Sequence, residues 1–196
     1  MMPTSEPALF CPTSPQHWRE WLHAHHATQQ SVWLVYYKKK ANQPTLTWSQ
    51  AVDEALCFGW IDSQAKPIDG ERYRQYFSRR KATSGWSQVN KEKVAQLMAK
   101  GRMTQTGFDS IAIAQQNGSW TLLDEATALL LPADLALALQ NIPAASSYFL
   151  SLSKSARRDM LQWVALAKRP ATRQRRIAEI VAMAAQQLKP KQFRRY

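Results

Sequence analysis

The chain has 196 residues and a formal net charge of +12, from 26 Lys and Arg against 14 Asp and Glu. That length gives one or two small domains a core to bury, and a 45% hydrophobic content with eight tryptophans excludes a disordered chain. No run approaches the roughly 18 apolar residues of a membrane span, and the opening MMPTSEPALFCPTSPQ has neither the basic nor the apolar region of a secretory signal.

The charge is unevenly spread. Residues 66–102 hold 10 basic and 3 acidic residues, net +7, and residues 154–196 hold 12 and 2, net +10. Between them, residues 103–153 carry 4 acidic and no basic residues. Glycine divides the chain again: all six glycines lie between Gly59 and Gly118. Cys11, in a proline-rich lead-in, and Cys57, in an apolar run, make no disulfide framework, so both are read as reduced and the protein as cytoplasmic.

In chain order, Ser14 as N-cap and Pro15 in the first turn start a helix over 15–26, with Trp18, Trp21, Leu22 and His25 in one stripe. The aromatic, β-branched run Ser31–Lys38 reads as a buried strand. Thr47 and Gln50 form a capping box for a helix that stops at Gly59. Trp60–Ser63 and Arg72–Phe77 read as two strands, with Asp69-Gly70 in the turn. After the loop Ser84–Ser87 the pattern predicts helices to Lys100, over 104–116, and near 132–141, 143–151, 154–168 and 170–188. The fold class is α+β: a small antiparallel or mixed sheet with helices over 1–100, then an all-helical part over 101–196.

The runs Ala51–Ser63, Tyr76–Lys81 and Ser84–Asn90 are distinctive, as are Val32-Trp-Leu, Tyr37-Lys-Lys39, Gly101-Arg-Met103 and Gly118-Ser-Trp120. Together with Ala167-Lys168, Thr172-Arg173 and Arg175-Arg176-Ile177 they resemble the YdeI/OmpD-associated, or bacteriocin-protection, family over about residues 9–188. Where that family's pattern has Thr-Pro-Arg, this chain has Ser78-Arg79-Arg80, which removes a loop proline and adds a charge. The resemblance implies tolerance to bacteriocins or antimicrobial peptides and association with a porin. It implies no reaction, no cofactor and no catalytic residue.

The same motifs carry a chemical expectation. If the hairpin brings the loop after it back to the first strand, Trp60, Asp62, Ser63, Arg79, Arg80, Lys81, Ser84, Trp86 and Ser87 would form a pocket for a small anionic ligand. As an enzyme site for a phosphorylated or carboxylated metabolite, Asp62 would be the general base and Arg80 or Lys81 the anion clamp. The same residues equally suit a structural ion pair of Asp62 with an arginine and buried tryptophan rings. Cys57 as a nucleophile competes with Cys57 as a small core hydrophobe. His23 and His26 have the spacing of a metal edge, but no ligand set completes it, so no metal is expected. The basic tail suits an acidic protein, an anionic membrane face, nucleic acid, or solvent alone, and no zinc-finger, RNP or helix-turn-helix pattern accompanies it.

Overall fold

A computed structural model describes residues 7–194, and its parts are α+β. The chain divides into two compact units. The first holds the residues up to Ser84 together with Val89–Asn117. The second holds Gly85–Gln88 and everything from Gly118 onward. The division thus falls at Asn117–Gly118, compared with the expected change near residue 100, and a four-residue segment crosses over early.

The first unit is built on a four-stranded mixed sheet in the order β1-β2-β4-β3. These are β1 (Leu9–Phe10), β2 (Ser31–Tyr37), β3 (Trp60–Pro67) and β4 (Arg72–Arg79). β1 runs parallel to β2, and the other pairs are antiparallel. β1, only two residues long, lies below the length at which alternation is readable, so the sequence reading has no strand there. β3 and β4 are both longer than expected. A bulge between Asp62 and Ala65 breaks the alternation of β3. The turn is set by Asp69, whose Oδ1 accepts from the backbone N–H groups of Glu71 and Arg72 at 2.8 and 2.7 Å.

Helices α1 (Pro15–His25) and α2 (Trp48–Cys57) begin as their caps predict. Ser14 Oγ accepts from His17 N–H, and Thr47 and Gln50 make the reciprocal capping box. Trp18 meets Phe77 of β4 edge-on at 5.5 Å, and its Nε1–H donates to the Ala51 carbonyl of α2 at 3.1 Å. One face of the sheet, with Val32, Leu34, Tyr36 and Phe77 all buried, therefore forms the core with these helices. On the opposite face, Trp33 packs against Tyr76 at 5.0 Å and lies under the Arg74 and Lys66 cations at 4.4 and 5.4 Å.

α3 (Gln88–Ala99) and α4 (Gln105–Gln116) complete the unit. Glu54 of α2, only 1% exposed, is held by Arg19 of α1 at 2.9 Å and by Arg102 of the α3–α4 connection. α4 lies so close to the end of α2 that a Cβ on Gly107 would sit 2.3 Å from the Cys57 carbonyl oxygen.

The second unit is helical: α5 (Asp124–Thr127), α6 (Ala133–Gln140), α7 (Pro143–Ser151), α8 (Lys154–Ala165) and α9 (Pro170–Ala185). Its core includes Leu135, Phe149, Leu161, Val164 and Ile180. Prolines open α7 and α9, where a missing N–H costs nothing. The short α5 has too few residues for a helical period and is absent from the sequence reading. Among the described residues no helix is long and apolar enough to cross a membrane.

Candidate functional site

The site grows from the corner where α2 ends and β3 begins. Gly59 turns the chain with φ +68°, a left-handed value that disfavours any side chain. Its carbonyl accepts from the Arg80 N–H at 2.9 Å, and Trp60 lies opposite Arg79 in the β3–β4 register. Arg79 is anchored twice at the α1–β2 connection. Its backbone N–H donates to the Gln30 carbonyl at 3.1 Å, and its Nε–H to the Gln29 carbonyl at 2.9 Å. Two arginines are thus fixed at one end of the sheet, and Lys81 follows them.

Two concavities use these arginines. The first, of about 500 Å³, is lined by Gln30, Ser31, Tyr76, Ser78, Arg79, Arg80 and Lys81. Its lining has three cations, three hydroxyls and no carboxylate, with Ser31 opposite Ser78 across the β2–β4 ladder. The second, of about 400 Å³, also uses Arg79 and Arg80 and adds His26, Phe58, Trp60, Thr106, Asp109, Ser110 and Ile113. In it the His26 ring contacts the Leu22 carbonyl through Nδ1 at 2.9 Å and the Thr106 hydroxyl through Nε2 at 3.2 Å. A carbonyl only accepts, so Nδ1 carries the proton. In the neutral ring Nε2 is then the acceptor for Thr106 Oγ1–H.

Burial pushes the Arg80 guanidinium down to about 10, with the nearby Asp62 charge opposing the shift. It remains a cation at neutral pH, held where water screens it poorly. Asp62 itself lines neither concavity. Its Oδ2 accepts from Trp48 Nε1–H at 2.8 Å and from Gln75 Nε2–H at 2.9 Å. The same Gln75 amide donates to the Ser63 carbonyl at 2.8 Å. Asp62 is therefore tied into a hydrogen-bonded cluster that influences Arg80 electrostatically, a different position from that of a general base facing a ligand.

Of the residues expected to converge, Trp60, Arg79, Arg80 and Lys81 do so at this corner. Asp62 and Ser63 sit beside it on β3. Ser84 closes a turn, its N–H donating to the Lys81 carbonyl at 2.9 Å, and lines neither concavity. Trp86 and Ser87 lie in the segment that belongs to the second unit, where Trp86 is 1% exposed with its ring 4.9 Å from Trp120. The sequence pattern did not point to Gln30, Ser31, Tyr76, Ser78, His26, Thr106 or Ser110 as site residues. Strand alternation carried a signal for Ser31 and Ser78. His26 and Thr106 are 80 positions apart and carried none.

The other candidates are resolved by their surroundings. Cys57 is fully buried, and burial pushes its thiol up, although a hydrogen bond from Arg19 opposes this. A raised thiol is the wrong form for a nucleophile, so Cys57 is part of the core. His26 is occupied as described, and among the described residues no three metal-ligating side chains gather.

A fold with one mixed-sheet unit and one helical unit is what the family comparisons divide as well. Residues 10–110, just over half of the chain, match the family described as "Domain of unknown function (DUF8412)", and the chain belongs to that family. Residues 128–187 match the family described as "Bacteriocin-protection, YdeI or OmpD-Associated". This second match supports the resemblance drawn from the motifs and places it on helices α6 to α9. The motifs at 51–63 and 76–90 lie within the first match. No curated protein and no solved structure matches the chain significantly.

Proposed function

We propose that the first unit binds a small anionic ligand in the concavity formed by Ser31, Tyr76, Ser78, Arg79, Arg80 and Lys81. The carrying observation is the lining itself: three cations and three hydroxyls with no carboxylate. In this reading the protein is a binding protein of the bacteriocin-protection type, acting inside the cell. Two unpaired cysteines support a reducing compartment. The second unit offers exposed Arg158, Arg169 and Arg175 to an acidic partner.

Calorimetric titration with inorganic phosphate tests the site. The expected result is saturable binding that weakens at least tenfold in Arg80→Met and in Lys81→Met, with both variants still folded by circular dichroism. Phosphate should also raise the thermal midpoint. At about 100 times the dissociation constant the gain is about 2.7 kcal/mol. Equal binding by wild type and both variants, or none by wild type, overturns the reading.

A further inference from the structure

The two faces of the sheet differ in charge. α1 and α2 meet one face through the Trp18 ring on Phe77 and the Trp48 indole on Asp62. Asp62 is the one carboxylate in the four strands, and its register partner Phe77 places it on that helix-covered side. Alternation puts Ser78, Tyr76 and Arg74 of β4 on the other side. Ser31 and Trp33 of β2 stand opposite the first two, and Lys66 of β3 stands opposite Arg74. Phe10 of β1 packs on the Trp18 and Trp21 rings of α1, so its neighbour Leu9, which is 60% exposed, shares the Trp33 side. This outer row is continuous: Tyr76 meets Trp33 at 5.0 Å, and Arg74 and Lys66 lie over the same indole at 4.4 and 5.4 Å. The cationic concavity, with Ser31, Tyr76, Ser78 and Lys81 in its lining, is one end of that row. Trp33 is buried and supports the cations above it, whereas Tyr76 is half-buried and Lys66 and Lys81 are exposed.

We infer that this outer face of the sheet binds single-stranded nucleic acid. The inference extends the anion reading above and rests on it for one phosphate only, the one held at the Lys81 end. From Ser78 to Arg74 is four strand steps, about 13 Å at about 3.3 Å each, too far for one phosphate group. The cations at the two ends, Lys81 and the Arg74 and Lys66 pair, therefore meet different phosphates of one strand. No strand carboxylate on this face opposes them. Between the two ends stands the Tyr76 ring, with Leu9 at the edge of the sheet. An unpaired base offers a flat π-face to such a ring. A duplex keeps those faces stacked inside itself, and an acidic peptide has none, so cations that flank an aromatic ring favour a single strand. Every base has a π-face, so the preference among sequences is weak.

The test is fluorescence anisotropy of a labelled oligothymidylate of about twelve nucleotides with the full chain. Log affinity is expected to fall against log salt with a slope of about −2, as for about three neutralised phosphates on a single strand. The double variant Arg74→Gln, Lys66→Gln lies outside the concavity and should flatten that slope by about 1.4. Lys66→Glu, at an exposed position, should weaken binding at least about threefold even if the double variant does not fold. Tyr76→Leu should weaken it at least about fivefold, and Tyr76→Phe, which keeps the ring, under about twofold. Circular dichroism establishes which variants are folded. A duplex of the same length and an acidic peptide should each bind at least about tenfold more weakly than the single strand. Equal binding of either overturns the inference, as does binding that Lys66→Glu and Tyr76→Leu leave undiminished. If inorganic phosphate binds through Lys81 but the oligonucleotide binds no more tightly, this inference fails while the anion site stands. If the oligonucleotide behaves as expected but inorganic phosphate does not bind and Lys81→Met has no effect, the anion reading fails and the outer face is supported.

Discussion

The two basic blocks of this chain carry similar net charge and live in different physical circumstances. In the first unit many of the cations are committed. Arg102 holds the buried Glu54, Lys93 meets Asp53 at 2.6 Å, Arg74 and Lys66 cover Trp33, and Arg79 and Arg80 are set at the corner of the sheet. In the second unit some are anchored and others lie exposed. Arg173 pairs with Asp134 at 2.6 Å, and Arg176 donates to the Trp163 carbonyl and lies 5.0 Å from its ring. Arg158, Arg169 and Arg175 are exposed along α8 and α9. Net charge counts these groups alike, whereas stability and binding do not, because a cation in water costs little to hold and contributes little when paired.

The contrast can be broken at its strongest point first. Glu54→Ala removes the buried carboxylate that Arg19 and Arg102 share, and because both guanidinium groups keep some access to water the loss is about 2–3 kcal/mol. Urea unfolding followed by circular dichroism should show this loss, and a change below about 1 kcal/mol would place Glu54 with the surface pairs. Gly107→Ala comes next. Its new methyl must move α4 away from the Cys57 carbonyl, and overpacking of this kind costs about 1–3 kcal/mol. The same unfolding measurement checks it.

Asp134→Asn should have the smallest effect, under about 1 kcal/mol, because both partners are well exposed. The pair also has a definite pH signature. Hydrogen bonding from Arg173 holds the Asp134 carboxyl below its ordinary value of 3.8. The contribution is therefore full above that value and fades as the pH falls through the lowered one. Thermal midpoints of wild type and Asp134→Asn, measured from neutral pH downwards, should converge in strong acid. A gap that widens in acid would mean that Asp134 has some other role.

Much of the architecture was legible because it is local. Ser14, Thr47 and Gln50 cap the helices they were expected to cap, and prolines open α7 and α9. β2 runs as expected because its aromatic and β-branched residues are buried on both faces. The misjudged elements lack such signals: a two-residue strand, a four-residue helix, and a strand whose bulge shifts its alternation. The site was half legible for the same reason. Arg79, Arg80 and Lys81 stand together in the sequence, and Trp60 follows a glycine that marks a turn. Ser31 and Tyr76 reach the same concavity only through strand register, and His26 and Thr106 meet across 80 residues. Trp86, adjacent in sequence to the cationic run, joined the wrong group because nearness along the chain says little about which core a tryptophan enters.

That early segment, Gly85–Gln88, has a consequence for how the molecule can be divided. The chain passes from one unit to the other at three places, so no single cut separates them. A fragment beginning at Gly118 would contain the whole bacteriocin-protection match and still lack the indole that Trp120 packs against. During synthesis that indole emerges well before the helices it serves. The helical unit is therefore assembled from two separate stretches of chain, and a minimal version of it needs Gly85–Gln88 supplied by a linker or by circular permutation.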